Sequence, residues 1–462
     1  MLKSTIAAMT LACAAVGAAQ AQGLSQTASA LSEKALTDKT AWNVVESLTT
    51  EIGPRPVGSP AMERAKDWGI AKLKDLGFEN VHAEPFTTPA WSRGSESAEV
   101  VGPYPQPLHI LGLGNSSPTP PGGLTAEIAL FPTYRALLAQ PAGSLTGKIA
   151  VVTEKMTRTQ VGSGYGGINP NRTAGPLEAK KRGAVGYLTR SLSTDDTRLP
   201  HTGGSAPAGI PAAALSTPDA ELLEHMVARG KPVTVRLNMA SSSNPAAQAW
   251  NVVGEIRGRE APDEVIVIGG HLDSWDPGTG AFDDGAGIAI TTAAAKLAGA
   301  ERPRRTIRVV MFGSEEQGGS SGAYLAAHKD EVGKMVVTGE SDEGPGPIWT
   351  LNLPKGSAGH PAMEAFLTAI GPLKVIVDRN PSSRGGADIA GLMAAGVPLI
   401  DLIPDADRYF DLHHSADDTL DKIDPADLAQ STAVWTAFLY TVANSDIDFR
   451  KLAAATPTTP AR

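Results

Sequence analysis

The chain has almost no cysteine, no excess of positive charge and no long apolar segment beyond its N-terminus. Its 462 residues include one cysteine, Cys13, so disulfide bonds play no part in the predicted fold. The formal net charge of −9 argues against nucleic acid or an anionic membrane surface as a partner, because both attract basic proteins. The lack of a second apolar segment predicts a mature protein that does not cross a membrane.

The first 21 residues have the features of a signal peptide. Lys3 supplies a positive charge, residues 5–19 are small and apolar, and Ala19-Gln20-Ala21 is a typical cleavage site. Cleavage after Ala21 would remove Cys13 and leave a mature chain without cysteine. We therefore predict export to the periplasm or the extracellular space, with Cys13 as a lipoprotein anchor as the alternative.

The length of the chain predicts more than one domain, because single cores seldom grow beyond about 250–300 residues. Stretches rich in serine, proline and glycine at 115–123 and 241–247 are typical of linkers and enclose a β-rich pattern. This pattern indicates an inserted domain. The predicted division is a signal peptide over 1–21, a discontinuous larger domain over 22–115 and 246–452, an insertion over 116–245 and a disordered tail over 453–462.

After residue 249 strands and helices alternate, which predicts an α/β fold with a mostly parallel mixed sheet and helices on both faces. Several residues that could bind a metal follow the predicted strands of this sheet. They are His271, Asp273, Asp283 and Asp284 after strand 265–269, Glu315 and Glu316 after strand 306–312, Asp342 after strand 335–339, and His413 and His414 after strand 398–403. Sites in such sheets form where strands end, and imidazole with carboxylate is a ligand set that zinc prefers.

Five short motifs contain all of these residues except His413. They are His271-Leu-Asp273, Asp283-Asp284-Gly285, Ser314-Glu315-Glu316-Gln317-Gly318, Glu340-Ser341-Asp342 and His414-Ser-Ala-Asp-Asp-Thr419. Together they resemble peptidase family M28, which contains zinc aminopeptidases and carboxypeptidases. Further stretches extend the resemblance over nearly the whole mature chain, namely Gly53-Pro-Arg55, Trp91-Ser-Arg-Gly-Ser-Glu-Ser-Ala98 and Pro200-His-Thr-Gly203. The resemblance implies the zinc-exopeptidase fold, with the β-rich insertion as a protease-associated domain.

The resemblance also implies two Zn²⁺ ions per chain and a role for each residue of the motifs. Asp283 would be shared by both ions, His271 and Asp342 would complete one site, Glu316 and His414 would complete the other, Glu315 would be the general base, and Asp273 would hold the ring of His271. Of the two adjacent histidines, the family pattern selects His414, and His413 is predicted to pack beside it.

The chemistry fits these residue types independently. Two dications about 3.5–4 Å apart activate a water and polarise a carbonyl. A carboxylate that binds no metal is still needed to carry the proton to the leaving amine. Of the two neighbouring glutamates Glu315 and Glu316, one can bind a metal and the other can carry the proton.

The loop Ser382-Ser-Arg384-Gly-Gly386-Ala-Asp388 corresponds to one that lines the substrate cleft in the family. Gly386 and Asp388 are therefore candidate substrate-binding residues. Arg384 is a candidate partner for a substrate carboxylate, because its guanidinium can bind one with two hydrogen bonds; a surface salt bridge is the alternative. The branch of the family that these motifs resemble implies short peptides as substrates, above all unblocked dipeptides, and a homodimer.

Other functions stay open at this point. One is an aminopeptidase of broad specificity on longer peptides, and another is a glutaminyl-cyclase-like acyltransferase with one zinc. A binding protein that has lost its metals would lack ligands, and none is missing. The stretch Gly318-Gly-Ser320-Ser-Gly322 matches the nucleophile motif of serine hydrolases, but the two glutamates occupy the strand exit where Ser320 would be needed. His201, in the insertion, is predicted to lie on the surface or in a turn.

Overall fold

The computed structural model describes residues 21–378 and 385–455, which form two domains. The strands of the larger domain are β1 (Glu79–Ser92), β10 (Ser242–Ile256), β11 (Ala261–His271), β12 (Arg305–Phe312), β13 (Met335–Glu340), β14 (Ile348–Asn352), β15 (Ile376–Val377) and β16 (Asp401–Pro404). A five-stranded sheet has the order β1-β10-β12-β11-β13, and a three-stranded sheet has the order β15-β14-β16.

Helices cover both faces of the five-stranded sheet. They are α1 (21–35), α2 (Thr40–Ser47), α3 (Pro60–Asp75), α8 (Ala286–Ala298), α9 (Ser320–His328), α10 (Pro361–Ile370), α11 (Ala390–Ala394), α12 (Pro425–Ala443) and α13 (Phe449–Ala455). Ile266 and Ile268 of β11 belong to a core cluster with α8 and α12, whereas the alternating Val265 and Val267 belong to a cluster with α9 and α11. Burial on both faces explains why β11 reads as an unbroken apolar run.

The predicted mixed α/β class is confirmed. In the parallel part of the sheet the carboxyl ends of the strands lie side by side. β11 pairs in parallel with β12 and β13, while β10 is antiparallel to β1 and β12. The register sets His271 opposite Phe312 and Gly269 opposite Glu340. The residues that follow these three strands therefore meet at one edge of the sheet.

The smaller domain has an eight-stranded sheet and four helices. Its strands are β2 (Glu96–Gly102), β3 (Gln106–Leu108), β4 (Ile110–Gly112), β5 (Leu124–Phe131), β6 (Ile149–Val152), β7 (Gly186–Arg190), β8 (Ala212–Leu215) and β9 (Thr234–Met239), in the order β3-β2-β9-β5-β6-β7-β8-β4. Its helices are α4 (Tyr134–Leu138), α5 (Ser163–Thr173), α6 (Gly175–Lys181) and α7 (Thr217–Val227).

The structure moves the predicted boundaries of the inserted domain. Residues 96–112, assigned to the larger domain by the sequence pattern, lie in the sheet of the smaller one. The predicted linker 241–247 lies almost entirely in β10, where Ser242 and Ala247 pair with Ser92 and Thr88 of β1. Its serine-rich and proline-containing sequence looked like a loop because this end of the two-stranded ribbon is largely exposed. The chain thus enters the smaller domain after residue 92 and leaves it before residue 242.

The predicted N-terminal helix over 24–50 is divided at residues 36–39, between α1 and α2. At the other end, α13 continues to Ala455, so the first three residues of the predicted disordered tail are helical. The rest of that tail and nearly all of the predicted signal peptide, Cys13 included, lie outside the described residues. Within residues 21–378 and 385–455, no helix is long and apolar enough to cross a membrane.

Candidate metal centre

His271 is the last residue of β11 and points its ring into the edge where the strands end. Its Nδ1 atom lies 2.9 Å from the backbone oxygen of Asp273 and 3.6 Å from the Asp273 carboxylate. That carboxylate accepts the backbone N–H groups of Glu315 at 2.9 Å and Glu316 at 3.3 Å. The backbone of Asp273 therefore holds the His271 ring more closely than its side chain does. The side chain, which we predict to hold that ring, lies within 3.6 Å of Nδ1 and also positions the two glutamates.

A buried arginine organises the loop after β11. Arg55 is fully buried and donates hydrogen bonds to the backbone oxygens of Leu272, Thr279 and Gly280. The loop is thus wrapped around a guanidinium group from the Gly53-Pro-Arg55 motif. This arrangement gives that motif a structural role close to the site.

We expect Arg55→Ala to lower the free energy of unfolding by about 3 kcal/mol or more, because two buried carbonyl groups and a partly buried one lose their donor. Denaturant unfolding of the metal-free protein measures this change. The control is Arg236→Ala, since Arg236 is half exposed and pairs with Glu99 on the surface, where such pairs contribute at most about 1 kcal/mol. Equal effects of the two substitutions would contradict the prediction.

Asp418 holds the segment that carries Asp283. Its Oδ1 atom accepts the backbone N–H groups of Ala281 at 2.7 Å and Phe282 at 2.6 Å, and its Oδ2 atom accepts that of Asp283 at 3.3 Å. Burial, together with the charge of Asp283, raises the pKa of Asp418 to about 7. Asp418 belongs to the motif that begins at His414, so this motif contributes both a candidate ligand and a support for another.

The carboxylate of Asp283 lies between two imidazole rings. Asp283 Oδ1 is 2.9 Å from His271 Nε2, and Asp283 Oδ2 is 3.1 Å from His414 Nε2. The same His414 nitrogen is 3.0 Å from Glu316 Oε2. Burial favours the neutral acid, but hydrogen bonds with His271 and His414 outweigh it and hold the pKa of Asp283 well below its usual range. Asp283 is therefore the centre of the cluster.

Asp342 approaches the cluster from the end of β13. One oxygen of Asp342 lies within 4.8 Å of ligand atoms of His271 and Asp284, which also lie within that distance of each other. Asp342 Oδ1 is 3.4 Å from the hydroxyl group of Tyr409. The carboxylate of Asp284 accepts the backbone N–H groups of His271 at 3.0 Å and Gly287 at 2.9 Å, so it is engaged with the backbone.

His413 and His414 stack on each other with ring centroids 3.5 Å apart. His413 Nε2 is 3.8 Å from Asp283 Oδ2, farther than His414 Nε2, and the His413 ring packs against Tyr165 and Phe410. This geometry favours His414 as the ligand. Burial also lowers the pKa of His413 well below its usual range.

Glu315 lies beside the cluster. Among the residues that the structure describes, no lysine, arginine or histidine forms an ion pair with its carboxylate. Burial raises the pKa of Glu315 well above its usual range, and the charges of Glu316 and Asp342 act in the same direction. Glu315 is therefore a partly buried carboxyl group that lines the cavity and could exchange a proton.

This collection of groups fits a divalent metal. Three overlapping sets bring three ligand atoms within 4.8 Å of one another, namely Asp283 with His413 and His414, His271 with Asp283 and Glu316, and His271 with Asp284 and Asp342. Glu316 Oε1 is buried and lacks a hydrogen-bond partner among the described residues. Imidazole and carboxylate in this number suit zinc.

A cavity of about 510 Å³ opens onto the cluster and is bounded by both domains. The smaller domain contributes Asn115, Tyr165, Asn169, Arg172 and Ser205, among others. A second cavity of about 300 Å³ lies beside it and shares Tyr165, Asp342, Glu343 and Phe410 with it. Volumes of this size are typical of small-molecule sites.

The predicted substrate loop is only partly described. Arg384 lies outside the described residues. Gly386 lines the second cavity, where a side chain in its place would collide with Glu340. Asp388 is 1% exposed, and its Oδ1 atom accepts a hydrogen bond from Ser320 at 3.2 Å, so it lies behind the cleft.

Ser320 is not arranged as a nucleophile. Its hydroxyl group is buried and bonds to the backbone oxygen of Ser314 and the carboxylate of Asp388, with no histidine as partner in the described part of the chain. The serine-hydrolase alternative therefore has no support in this geometry.

Sequence reasoning missed several residues that contact the centre. Arg55 and Asp418 belong to the motifs Gly53-Pro-Arg55 and His414-Ser-Ala-Asp-Asp-Thr419, so the sequence did contain a signal for them. The prediction for His201 was wrong, because this histidine is 1% exposed and its Nδ1 atom lies 2.6 Å from the backbone oxygen of His413. Arg172, whose Nη1 atom is 3.3 Å from His414 Nδ1, lies in α5 and carried no local signal.

Comparisons with known proteins agree with this geometry. The model of peptidase family M28 matches residues 251–439. Carboxypeptidase Q of Mus musculus is 36% identical over 406 residues, which cover 86% of this chain and 84% of that protein. The crystal structure of a peptidase M28 precursor from Shewanella amazonensis is similar with a TM-score of 0.90 at 41% identity, covering 96% of this chain and all of that one. A zinc aminopeptidase from Bacillus subtilis, at 19% identity and a TM-score of 0.65 over 88% of this chain and 95% of its own, shares the fold alone.

Proposed function

Because this chain belongs to peptidase family M28 and is a metallopeptidase, we propose that it is a di-zinc exopeptidase that hydrolyses unblocked dipeptides. The observation that carries the proposal is the position of Asp283 between His271 and His414, with a separate glutamate beside them. Similarity to carboxypeptidase Q supports the exopeptidase activity.

We assign the residues as their contacts suggest. Asp283 would bridge two zinc ions, with His271 and Asp342 completing one site and Glu316 and His414 the other. Bound zinc supplies a lowered pKa for a coordinated water and polarisation of the scissile carbonyl. The residues of the chain provide the rest of the chemistry.

Glu315 would move the proton. As a carboxylate without a basic partner, it can accept a proton from the attacking water and then donate it to the amine that leaves when the peptide bond breaks. Asp273 would keep Glu315 in place through its hydrogen bond to the Glu315 backbone. Arg55 and Asp418 would hold the loop that presents Asp283.

The enclosure of the cleft supports short substrates. The smaller domain, which we propose to be a protease-associated domain, forms one wall of the 510 Å³ cavity, which Glu315 and Glu316 also line. A long peptide would have to pass this wall on at least one side. Glu340 and Glu343 line the second cavity beside Asp342 and could bind a free ammonium group. Arg384 stays the candidate for the free carboxylate.

We expect N-acetylation and C-amidation of a good dipeptide each to lower kcat/KM by at least about 10²-fold, because a site built for charged ends leaves buried polar groups unpaired when an end is blocked. A panel of free, acetylated and amidated dipeptides of one sequence measures this.

Longer peptides distinguish the alternatives. Stepwise trimming of a decapeptide from its N-terminus at a rate similar to that of the dipeptide would identify a general aminopeptidase instead. Formation of pyroglutamate from an N-terminal glutamine would identify an acyltransferase. Export and the homodimer stay predictions.

A further inference from the structure

We propose that the smaller domain completes the metal centre, because its residues Thr202 and Arg172 fix the ring of His414. Docking of the loop Pro200–Gly203 would then set the affinity of the metal held by His414 and Glu316. This inference rests on the proposed function, since it assumes that His414 is a ligand. The smaller domain would then have two roles, because it lines the cleft and also positions a metal ligand.

Three buried contacts join this loop to the two histidines. The backbone N–H of Thr202 donates to the backbone oxygen of His414 at 3.1 Å. The Nδ1 atom of His201 lies 2.6 Å from the backbone oxygen of His413. The Nδ1 atom of His414 lies 3.2 Å from the backbone oxygen of Thr202. The loop therefore contacts both the backbone and the ring of His414, the candidate ligand.

The third contact decides which nitrogen of His414 can bind a metal. Two groups face Nδ1, the backbone oxygen of Thr202 at 3.2 Å and Arg172 Nη1 at 3.3 Å. A ring whose Nε2 binds a metal carries its proton on Nδ1 and donates it to the Thr202 carbonyl, and Arg172 Nη1 then donates to Thr202 and not to the ring. The lone pair is then on Nε2, the atom that lies 3.1 Å from Asp283 Oδ2 and 3.0 Å from Glu316 Oε2. Thr202 thus selects the tautomer that the metal requires.

Arg172 in turn holds Thr202. Its Nη1 atom donates to the backbone oxygen of Thr202 at 3.2 Å, and its Nη2 atom donates to the hydroxyl group of Tyr165. The side chain is 6% exposed, and among the described residues no carboxylate forms an ion pair with it. Its position is therefore set by these two hydrogen bonds, by the Tyr165 ring 5.3 Å from its guanidinium group and by His414 Nδ1 at 3.3 Å from Nη1. A side chain at Gly203 would reach within 2.2 Å of Arg172 Nη1, which leaves room only for glycine. The motif Pro200-His-Thr-Gly203 is therefore built around the guanidinium group.

The test compares Arg172→Ala and Arg172→Lys with Arg190→Gln. Arg190 is also a buried arginine of the smaller domain, but it pairs with Glu221 within that domain. Metal release is followed in a titration with a competing chelator, and the visible spectrum of the cobalt-substituted protein reports the geometry of each site. Thermal unfolding of the metal-free proteins reports loss of structure alone.

We expect Arg172→Ala to weaken one of the two metals by about 10–100-fold, the usual loss when a partner of a ligating histidine is removed, and to change one cobalt spectrum. Arg172→Lys should lose less, because its ammonium group can still donate to the Thr202 carbonyl. Arg190→Gln should keep both affinities. Gly203→Ala, which displaces Arg172 without removing it, should repeat the effect of Arg172→Ala.

Two results would overturn the inference. Unchanged metal affinities in Arg172→Ala would show that Arg172 is not required to position Thr202 and His414. Equal weakening of both metals, with the same loss of thermal stability as in Arg190→Gln, would show a purely structural role. A failure of the proposed function is seen in the wild type alone. If the wild-type protein binds no zinc or leaves dipeptides intact, the proposed function is wrong, whatever the variants do.

Discussion

Replacing Glu315 with glutamine is expected to lower kcat by at least about 10²-fold while the metal content stays unchanged. Glutamine keeps the size of the side chain but cannot accept a proton at neutral pH. Glu315 lacks a basic partner among the described residues, and its pKa is raised by burial, so its carboxyl group is free for proton transfer. Steady-state kinetics on a free dipeptide, together with metal analysis of the same preparation, measures both quantities.

The neighbouring residue is the matched control. Glu316→Gln should reduce metal content, because Glu316 Oε2 lies 3.0 Å from His414 Nε2 in the cluster around Asp283. Loss of zinc from Glu315→Gln together with retention in Glu316→Gln would show that the two roles are exchanged. A Glu315→Gln variant with full activity and full metal would remove Glu315 from the mechanism altogether.

Much of the site could be predicted because it depends on short-range sequence. Strands β11, β12 and β13 are buried on both faces and read as apolar runs, so their C-terminal ends could be located to within two residues. Parallel strands bring their carboxyl ends to one edge, which explains why His271, Glu315 and Asp342 meet. The choice between His413 and His414 needed the family pattern, since both nitrogens lie near Asp283.

What could not be predicted depends on contacts between distant segments. The ribbon of β1 and β10 has an exposed end, and its serine-rich sequence resembled a linker. Residues 96–112 join the smaller sheet through pairing with β8 and β9, more than 100 positions along the chain. Arg172 reaches His414 across the domain interface, and nothing near either residue in sequence indicates the contact. Such features follow from tertiary packing and have no local signature.

The second large effect is expected for Asp283→Ala, which should lose both metals and lower kcat/KM by about 10³-fold or more, equivalent to about 4 kcal/mol of transition-state stabilisation. The reason is geometric, because the two oxygens of this single carboxylate face His271 at 2.9 Å and His414 at 3.1 Å. Asp342→Ala should mainly weaken one metal, since Asp342 approaches from the side of His271.

Asp284→Asn is the matched control for Asp283→Ala, because the Asp284 carboxylate is engaged with the backbone N–H groups of His271 and Gly287 and should leave both metals bound. Chelation of the wild type should lower its melting temperature. A free metal concentration of 100 times the Kd stabilises the folded state by about 2.7 kcal/mol, and the chelator removes this stabilisation. Elemental analysis and thermal unfolding of the four proteins provide the measurements. A single zinc in the fully active wild type would refute the shared-ligand arrangement, and loss of both metals from Asp284→Asn but not from Asp283→Ala would move the bridge to Asp284.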